Sequence, residues 1–464
     1  MINLGLQRIT ALLQPLFTAH PASLPWKAIH IAGTNGKGSV AALLSTFLSR
    51  SGYSVGRFTS PHLIDRWDCI TLNQHVVDRD RFLDVEREMR TRSQTRQIGA
   101  SDFEILTATA FELFTRSAVD VAVVECGLGG RLDATNALRT QDVLMSVLAK
   151  VGLDHTEFLG DTVEKVTWEK AGIFKPGVPV VVDGSNDPEV LSVVWEKLDE
   201  LGNTHGVHIL DGPREELLSQ SIDKMRQLGG NLAKHQMQNL TTAWTAYTLA
   251  ERRLEESKST STATSGLTTK SDGGGGGGDW MQNVAQAAEE LPRLVTTAQS
   301  SLQGRLEWLE IPERLLPDES KALKHKVLID GAHNPQSACA LAAYVDESVR
   351  QATSRKSSVT WVLAAKNDKD IRAIVSTLLR KGDNVVTCSF GPVDGMPWVK
   401  SMDASVLLEI AGEFVSDEST TEAARDGSVR EAIVRALEIA GQGPVCVAGS
   451  LYLVGDVLRL VRDG

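Results

Sequence analysis

"HIAGTNGKGSVAALLSTFLSRSGYSVGRFTSPH", residues 30–62, decides the fold. A short apolar run ends at Ala32, a glycine-rich turn spans Gly33, Thr34, Asn35, Gly36, Lys37, Gly38 and Ser39, and a helix-like stretch follows before a second strand. A strand handing over to a helix through such a turn aims backbone N–H groups and the helix N-terminus at one point, and Lys37 adds charge there, which suits a phosphate group. The strict GxxxxGK[ST] pattern fails twice. Ile31 stands at the first glycine position and Gly38 where a magnesium-holding Ser or Thr is usual. A purely structural turn is the bland alternative; if phosphate and metal do bind, another side chain must hold the metal.

Working outward, apolar β-branched runs at 28–32, 119–124, 143–148 and 178–182 each precede a Gly, Asp or Glu and a helix-like pattern, so they read as buried parallel strands of an α/β sheet. Runs at 327–329, 360–364, 384–389 and 444–448 repeat that grammar and predict a second α/β domain. The expected division is 1–300 and 301–464, with the linker near 297–304. The Ser/Thr/Gly-rich stretch 254–279, with six consecutive glycines, cannot bury enough surface to offset ordering and is expected to be a mobile loop inserted in the first domain, before helical sequence resumes at 280–298. Helical pattern is also expected from Asn3 to Leu13.

Metal-holding candidates fall at strand ends, where open α/β sheets bind ligands. Glu125 closes "VDVAVVE", and a carboxylate ending an apolar strand is costly unless paired or bound to a cation. Ser60 in "TSPH" follows the strand after the loop helix, and His155 follows the third strand in "KVGLDHTEFLGD". Taken singly, a Ser before Pro is usually a turn former and a loop His usually structural. In "GDTVEKVTWEKAGIFKPG", Asp161 and Glu164 suggest a capping box, and Val163, Val166 and Lys170 share one helix face. Burial there would give a neutral, nucleophilic amine, whereas snorkelling is the ordinary alternative.

A formal net charge of −11 argues against general nucleic-acid binding, which needs a basic face. Five scattered cysteines without CxxC spacing suggest neither a disulfide framework nor a zinc site. No apolar run reaches the roughly 18 residues needed to span a bilayer, and no leader pattern precedes the first helix, so a cytoplasmic protein without membrane or nucleic-acid partners is expected.

Six segments in order, "HIAGTNGKGSV", "TSPHL", "VVECGLGGRLDATN", "GLDHTEFLGDTVEKVTWEKAGIFKPG", "IDGAHNPQS" and "GSLYLVGDV", resemble the signatures of the dihydrofolate synthase and folylpolyglutamate synthase family within the ATP-dependent Mur-ligase superfamily. The resemblance runs from "LGLQRITALL" to the last helix, outside the Ser/Gly insertion and 310–325. It implies a P-loop ATPase-like central domain and a Rossmann-like C-terminal domain, closing over ATP, L-glutamate and a pterin substrate in a monomer. It also implies that Ser60, Glu125 and His155 hold magnesium. Lys170, carbamylated by carbon dioxide, would help bind a second magnesium, and a monovalent cation is a further candidate. Asn239, Arg305, Asp330 and His333 match nucleotide-contacting positions, and Phe103, Arg131 and Asp133 match pterin-proximal ones.

The implied chemistry is phosphorylation of the pteroate carboxylate by ATP and capture of the acyl phosphate by the glutamate amine, with Lys37, Glu125, His155 and Lys170 as the catalytic set. Asn35 in the loop, Trp67, Asp68 and Cys69 where many relatives have "RERI", and the short N-terminus favour dihydropteroate as acceptor, as in a fungal-type dihydrofolate synthase. A folylpolyglutamate or bifunctional synthase is the rival within the family, and a P-loop kinase or nucleotide switch the rival outside it.

Overall fold

The computed structural model describes residues 4–204, 206–210, 216–227, 232–264, 279–315, 325–351, 358–416 and 418–463. The chain forms two compact units, Met1–His62 with Trp67–Leu302, and Leu63–Arg66 with Gln303–Gly464. The break thus falls at Leu302/Gln303, with the helix Leu291–Ser300 occupying the first half of the expected linker, and the tetrapeptide Leu63–Arg66, which begins at the last residue of "TSPHL", groups with the second unit.

The first unit holds β1 (Lys27–Ala32), β2 (Val55–Phe58), β3 (Ile70–Leu72), β4 (His75–Val76), β5 (Val121–Glu125), β6 (Val143–Leu148), β7 (Val180–Asp183) and β8 (Val207–Leu210), ordered β4-β3-β2-β5-β1-β6-β7-β8. Pairing is parallel except at β2/β3 and β3/β4. β1 lies between β5 and β6, so connections run to opposite sides of it, and its carboxyl end is the switch point where such sheets take ligands. β5 and β6 are buried along their whole length because helices cover both faces, which is why they read as unbroken apolar runs. One face packs under the helices Lys37–Arg50, Lys234–Thr264 and Leu291–Ser300, through residues such as Phe47, Trp244 and Leu294. The other packs under Gln7–Ala19 and Asp102–Arg116, through Leu12, Phe111 and Phe114.

The second unit holds β9 (Glu307–Glu310), β10 (Lys326–Ile329), β11 (Thr360–Leu363), β12 (Asn384–Thr387), β13 (Thr421–Ala423) and β14 (Val445–Ala448), ordered β13-β12-β11-β14-β10-β9 and parallel except for β9. Helices Val429–Ala440 and Leu451–Asp463 cover one face, and Pro335–Tyr344, Ile371–Leu378 and Ala404–Gly412 the other.

Three local expectations are corrected. The helix from Lys234 continues to Thr264 and another begins at Asp279, so both ends of the stretch 254–279 are helical; residues 265–278 lie outside the described residues. Arg252–Glu256 and Glu255–Lys258 pairs, one turn apart, support the helix where composition alone suggested a loop. The cap of Val163–Ala171 is Thr162, whose hydroxyl accepts from the Lys165 amide, while Asp161 pairs with the Lys165 ammonium at 2.7 Å. The first helix is Gln7–Ala19 rather than 3–13, with Ile9, Leu12, Leu13 and Leu16 buried.

Candidate functional site

The loop after β1 is fixed from the neighbouring strand end. The amides of Thr34 and Asn35 donate to the Lys150 carbonyl at 2.8 and 3.1 Å, and the Thr34 hydroxyl donates to the Gly152 carbonyl at 2.8 Å. These two residues therefore shape the loop and leave the amides of the turn that follows as the ones able to meet an anion. Gly36, at φ +86°, is the N-cap of the helix Lys37–Arg50 and offers it no side-chain cap. A Cβ there would also lie 2.3 Å from Oδ1 of Asn239, which the helix Lys234–Thr264 sets against the loop. The first-turn amides of Lys37, Gly38 and Ser39 have no acceptor within the helix, leaving them and the helix dipole directed at the strand ends.

Into the same corner β5 delivers Glu125, only 4 % exposed. Its Oε1 lies 3.6 Å from Lys37 Nζ, and its Oε2 accepts from the Ser60 amide at 3.3 Å. Ser60 Oγ is buried with no hydrogen-bond partner. A buried hydroxyl left without a partner beside a carboxylate costs about 1–3 kcal/mol and is the kind of oxygen a hard cation completes. Ser60 and Glu125 therefore fit a magnesium ion. A Cβ at Gly38 would lie 3.5 Å from Glu125 Oε2 and from Leu302 Cδ1, an ordinary contact distance, so packing alone does not require the glycine; the contacts place this position beside the carboxylate and Leu302.

Lys170 is buried (3 % exposed), and its Nζ donates to the Gly33 carbonyl at 2.9 Å. Burial, reinforced by Lys37, lowers its pKa to about 7, while Asp154 favours the charged form. Snorkelling is excluded, and burial together with the nearby Lys37 charge favours the neutral amine. His155, at φ +52°, caps the short helix Thr156–Leu159, and its own amide donates to Asp154 Oδ1 at 2.8 Å. The structure thus brings Lys37, Ser60 and Glu125 together and sets Lys170 on the loop. His155 follows Asp154, whose own importance was not legible as a motif. Among the described residues there is no group of three or more His, Cys, Asp or Glu side chains placed to hold a metal.

The residues matched to pterin contacts divide. Phe103 stacks on Phe58 (6.1 Å, 26°) and its ring fills the space beside Gly127. Arg131 Nη2 is 2.8 Å from Glu169 Oε1 and half exposed. Asp133 is turned inward: it accepts from the Leu128 amide at 2.8 Å, the Thr135 amide at 3.0 Å and the Thr135 hydroxyl at 2.5 Å. Since that hydroxyl's proton is committed to Asp133, Nε2 of buried His30 carries the proton in its 2.8 Å bond to Thr135 Oγ1. Burial, aided by Lys175, drives the His30 pKa down to about 3, and burial pushes the adjacent Cys126 thiol up, so both stay neutral. Both directions work against a Cys–His nucleophile.

In the second unit, Asp330 accepts from the Leu306 and Ala332 amides, both at 2.8 Å, holding the Arg305 segment against the end of β10. A Cβ on Gly331 would lie 2.5 Å from Arg305 Nη1. His333 Nδ1 bonds to the Gly331 carbonyl at 2.8 Å, so Nδ1 is the protonated nitrogen.

Fold and site define a two-unit α/β protein of Mur-ligase type, with the Gly36–Ser39 turn, Lys37 and Glu125 gathered at the switch point of its first sheet. The chain is 34% identical over 474 residues to the probable dihydrofolate synthetase of Schizosaccharomyces pombe, covering 99% of each. It is 30% identical over 467 residues to dihydrofolate synthetase of Saccharomyces cerevisiae, covering 99% of this chain and 98% of that one. Residues 312–460 match the family model of the dihydrofolate synthetase C-terminal domain. Mycobacterium tuberculosis folylpolyglutamate synthase complexed with ADP superposes with a TM-score of 0.69 at 25% identity, covering 99% of this chain and 95% of that one. The chain belongs to the dihydrofolate synthetase and folylpolyglutamate synthase family and is a ligase of the fungal dihydrofolate synthetase kind.

Proposed function

We propose that this protein joins L-glutamate to 7,8-dihydropteroate at the expense of ATP, giving dihydrofolate, ADP and phosphate. The observation that carries the chemistry is the uncapped helix start at Gly36 with Lys37, Glu125 and the partnerless Ser60 hydroxyl at its mouth. The choice of acceptor is supported by likeness to the two yeast dihydrofolate synthetases over nearly the full length of each chain.

Amides of the first helical turn and Lys37 would bind the β- and γ-phosphates of ATP, with Asn239 fixing the loop beside them. Ser60, Glu125 and His155 would hold magnesium, and Lys170, as its carbamate, would serve a second. When bound, magnesium neutralises the charge that builds on the transferred phosphoryl group. Lys170 suits carbamylation because a neutral amine attacks carbon dioxide, forming the N–C bond and releasing one proton, and an amine with a pKa near 7 is neutral without strong base. The pterin carboxylate takes the γ-phosphoryl group, and the glutamate amine then attacks the acyl carbon and expels phosphate. Phe103 and Arg131 are the proposed pterin contacts, with Asp133 ordering their loop. Arg305 and His333 are the second unit's proposed nucleotide contacts, with Asp330 holding Arg305. The monovalent cation is left without a residue set.

The test is purified protein with ATP, magnesium and labelled glutamate, supplied with dihydropteroate or tetrahydrofolate. Labelled dihydrofolate in the first arm is expected. Product in the second arm alone would move the protein to the folylpolyglutamate synthases, and phosphate release at the same rate without glutamate would remove the ligase reading.

A further inference from the structure

Arg57 has no role in the site as described, yet it is the most unexpected charge in the first unit. It lies in the middle of β2, on a sheet covered by helices, 3 % exposed, with Val123 as its β5 neighbour. An apolar residue is the default at such a position, since a buried guanidinium carries a desolvation cost of several kcal/mol unless its surroundings repay it. Among the described residues no carboxylate lies within ion-pair distance of it. Instead Nη1 donates to Ser301 Oγ at 2.9 Å and Ser45 Oγ at 3.4 Å, Nη2 donates to the Ser301 carbonyl at 3.2 Å, and Nε has no partner. Burial lowers its pKa to about 10, opposed by the field of Glu125.

These partners are not arbitrary. Ser301 is the C-cap of the helix Leu291–Ser300, so the guanidinium satisfies a terminal carbonyl where the helix dipole favours a cation. The next residue, Leu302, stands over Gly38. Ser45 lies two turns beyond Gly38 on the same face of its helix. Arg57 itself is three residues ahead of Ser60. One planar fork thus joins the strand that delivers Ser60, the helix that begins at the phosphate loop and the helix end that delivers Leu302.

We propose that Arg57 is a positioning residue for the metal–nucleotide site, fixing how the strand that delivers Ser60, the helix that starts at Gly36 and the segment that delivers Leu302 are spaced around Glu125. The inference rests on the nucleotide reading above. Lysine keeps the charge but loses the fork, so Arg57→Lys isolates geometry from electrostatics, and Ser301→Ala removes one partner without touching any charge. In glutamate-dependent phosphate release, Arg57→Lys is expected to raise the magnesium half-saturation concentration and the KM for ATP about tenfold, the equivalent of one charged hydrogen bond. The KM for dihydropteroate at saturating MgATP should stay within about twofold. Ser301→Ala should give a smaller change in the same direction, and the double variant should be no worse than Arg57→Lys alone, as a shared interaction requires. An Arg57→Lys protein that melts earlier but binds MgADP like wild type would make Arg57 a core group only and overturn the proposal, as would effects that multiply in the double variant. Wild-type protein that binds no MgADP would instead overturn the nucleotide reading.

Discussion

Replacing Lys170 by methionine tests the electrostatics of the site without reference to turnover. A lysine whose pKa falls from 10.5 to about 7 on folding binds fewer protons folded than unfolded between those two values, so its contribution to stability rises with pH across that window. Below pH 7 both states are protonated and the folded protein bears the whole cost, roughly 5 kcal/mol from the size of the drop. At pH 7 about 4 kcal/mol remains, and at pH 9 about 2 kcal/mol, because the folded amine is then neutral while the unfolded one is still charged. Methionine has similar length and no charge; it loses the 2.9 Å bond to the Gly33 carbonyl, worth about 1–2 kcal/mol. The Lys170→Met protein should therefore be the more stable by about 2–3 kcal/mol at pH 7 and nearly equal to wild type at pH 9. Urea unfolding of both proteins at the two pH values, in buffers purged of carbon dioxide so that no carbamate forms, measures the change in their difference, expected to be about 2 kcal/mol. A difference independent of pH would mean that Lys170 titrates like an exposed lysine, and the carbamate role would lose its physical basis. Adding carbon-13 bicarbonate should then give one carbamate carbonyl resonance in wild type that is missing from Lys170→Met.

Ser60→Ala removes a buried hydroxyl with no partner, so stability should hold or rise slightly, while the magnesium half-saturation in the phosphate-release assay rises about tenfold; unchanged magnesium dependence would exclude Ser60 from the metal set. Gly36→Ala, at φ +86° and 2.3 Å from Asn239 Oδ1, should cost about 1–3 kcal/mol in urea unfolding and abolish MgADP binding in a calorimetric titration. Asp133→Asn turns one acceptor into a donor facing amide and hydroxyl donors, and should lower stability by about 2–3 kcal/mol, with the loss read by the urea midpoint. Arg131→Ala should change the unfolding free energy from urea titration by less than about 1 kcal/mol, since its ion pair is half exposed, but raise the KM for dihydropteroate; a KM equal to wild type would remove it from the pterin site.

The strands bearing the site were legible because helices cover both faces of the sheet, so β1, β5, β6 and β7 appear as apolar runs whose ends lie within two residues of the observed ones. Edge strands β4, β8, β9 and β13 carry exposed or half-exposed positions and leave no such run. Glu125 was visible as a carboxylate ending a buried strand, and Lys170 as a polar residue on an apolar helix face. Arg57 was not, because "SVGRF" alternates as a half-exposed strand would, and only the helices folded over β2 reveal that its second face is covered too. Asp154 and the use of the Lys150 carbonyl by the loop amides depend on β6 lying beside β1, an adjacency that no local pattern encodes.

Gly38 joins these observations. In a loop with Ser or Thr after the lysine, the helix itself supplies the metal's hydroxyl ligand, and the neighbouring strand ends need only surround it. Here a Cβ at Gly38 would be in ordinary contact, 3.5 Å, with Glu125 Oε2 and Leu302 Cδ1, so a side chain there would stand directly beside the carboxylate proposed to hold the metal. On the proposed reading the oxygen comes instead from Ser60, whose amide is held by the same carboxylate at 3.3 Å. Moving the ligand from the helix to a separate loop makes metal binding depend on how β2, β5 and the helix end at Ser301 are spaced. On the proposed reading, a buried arginine at the junction of all three repays its desolvation cost by holding that spacing.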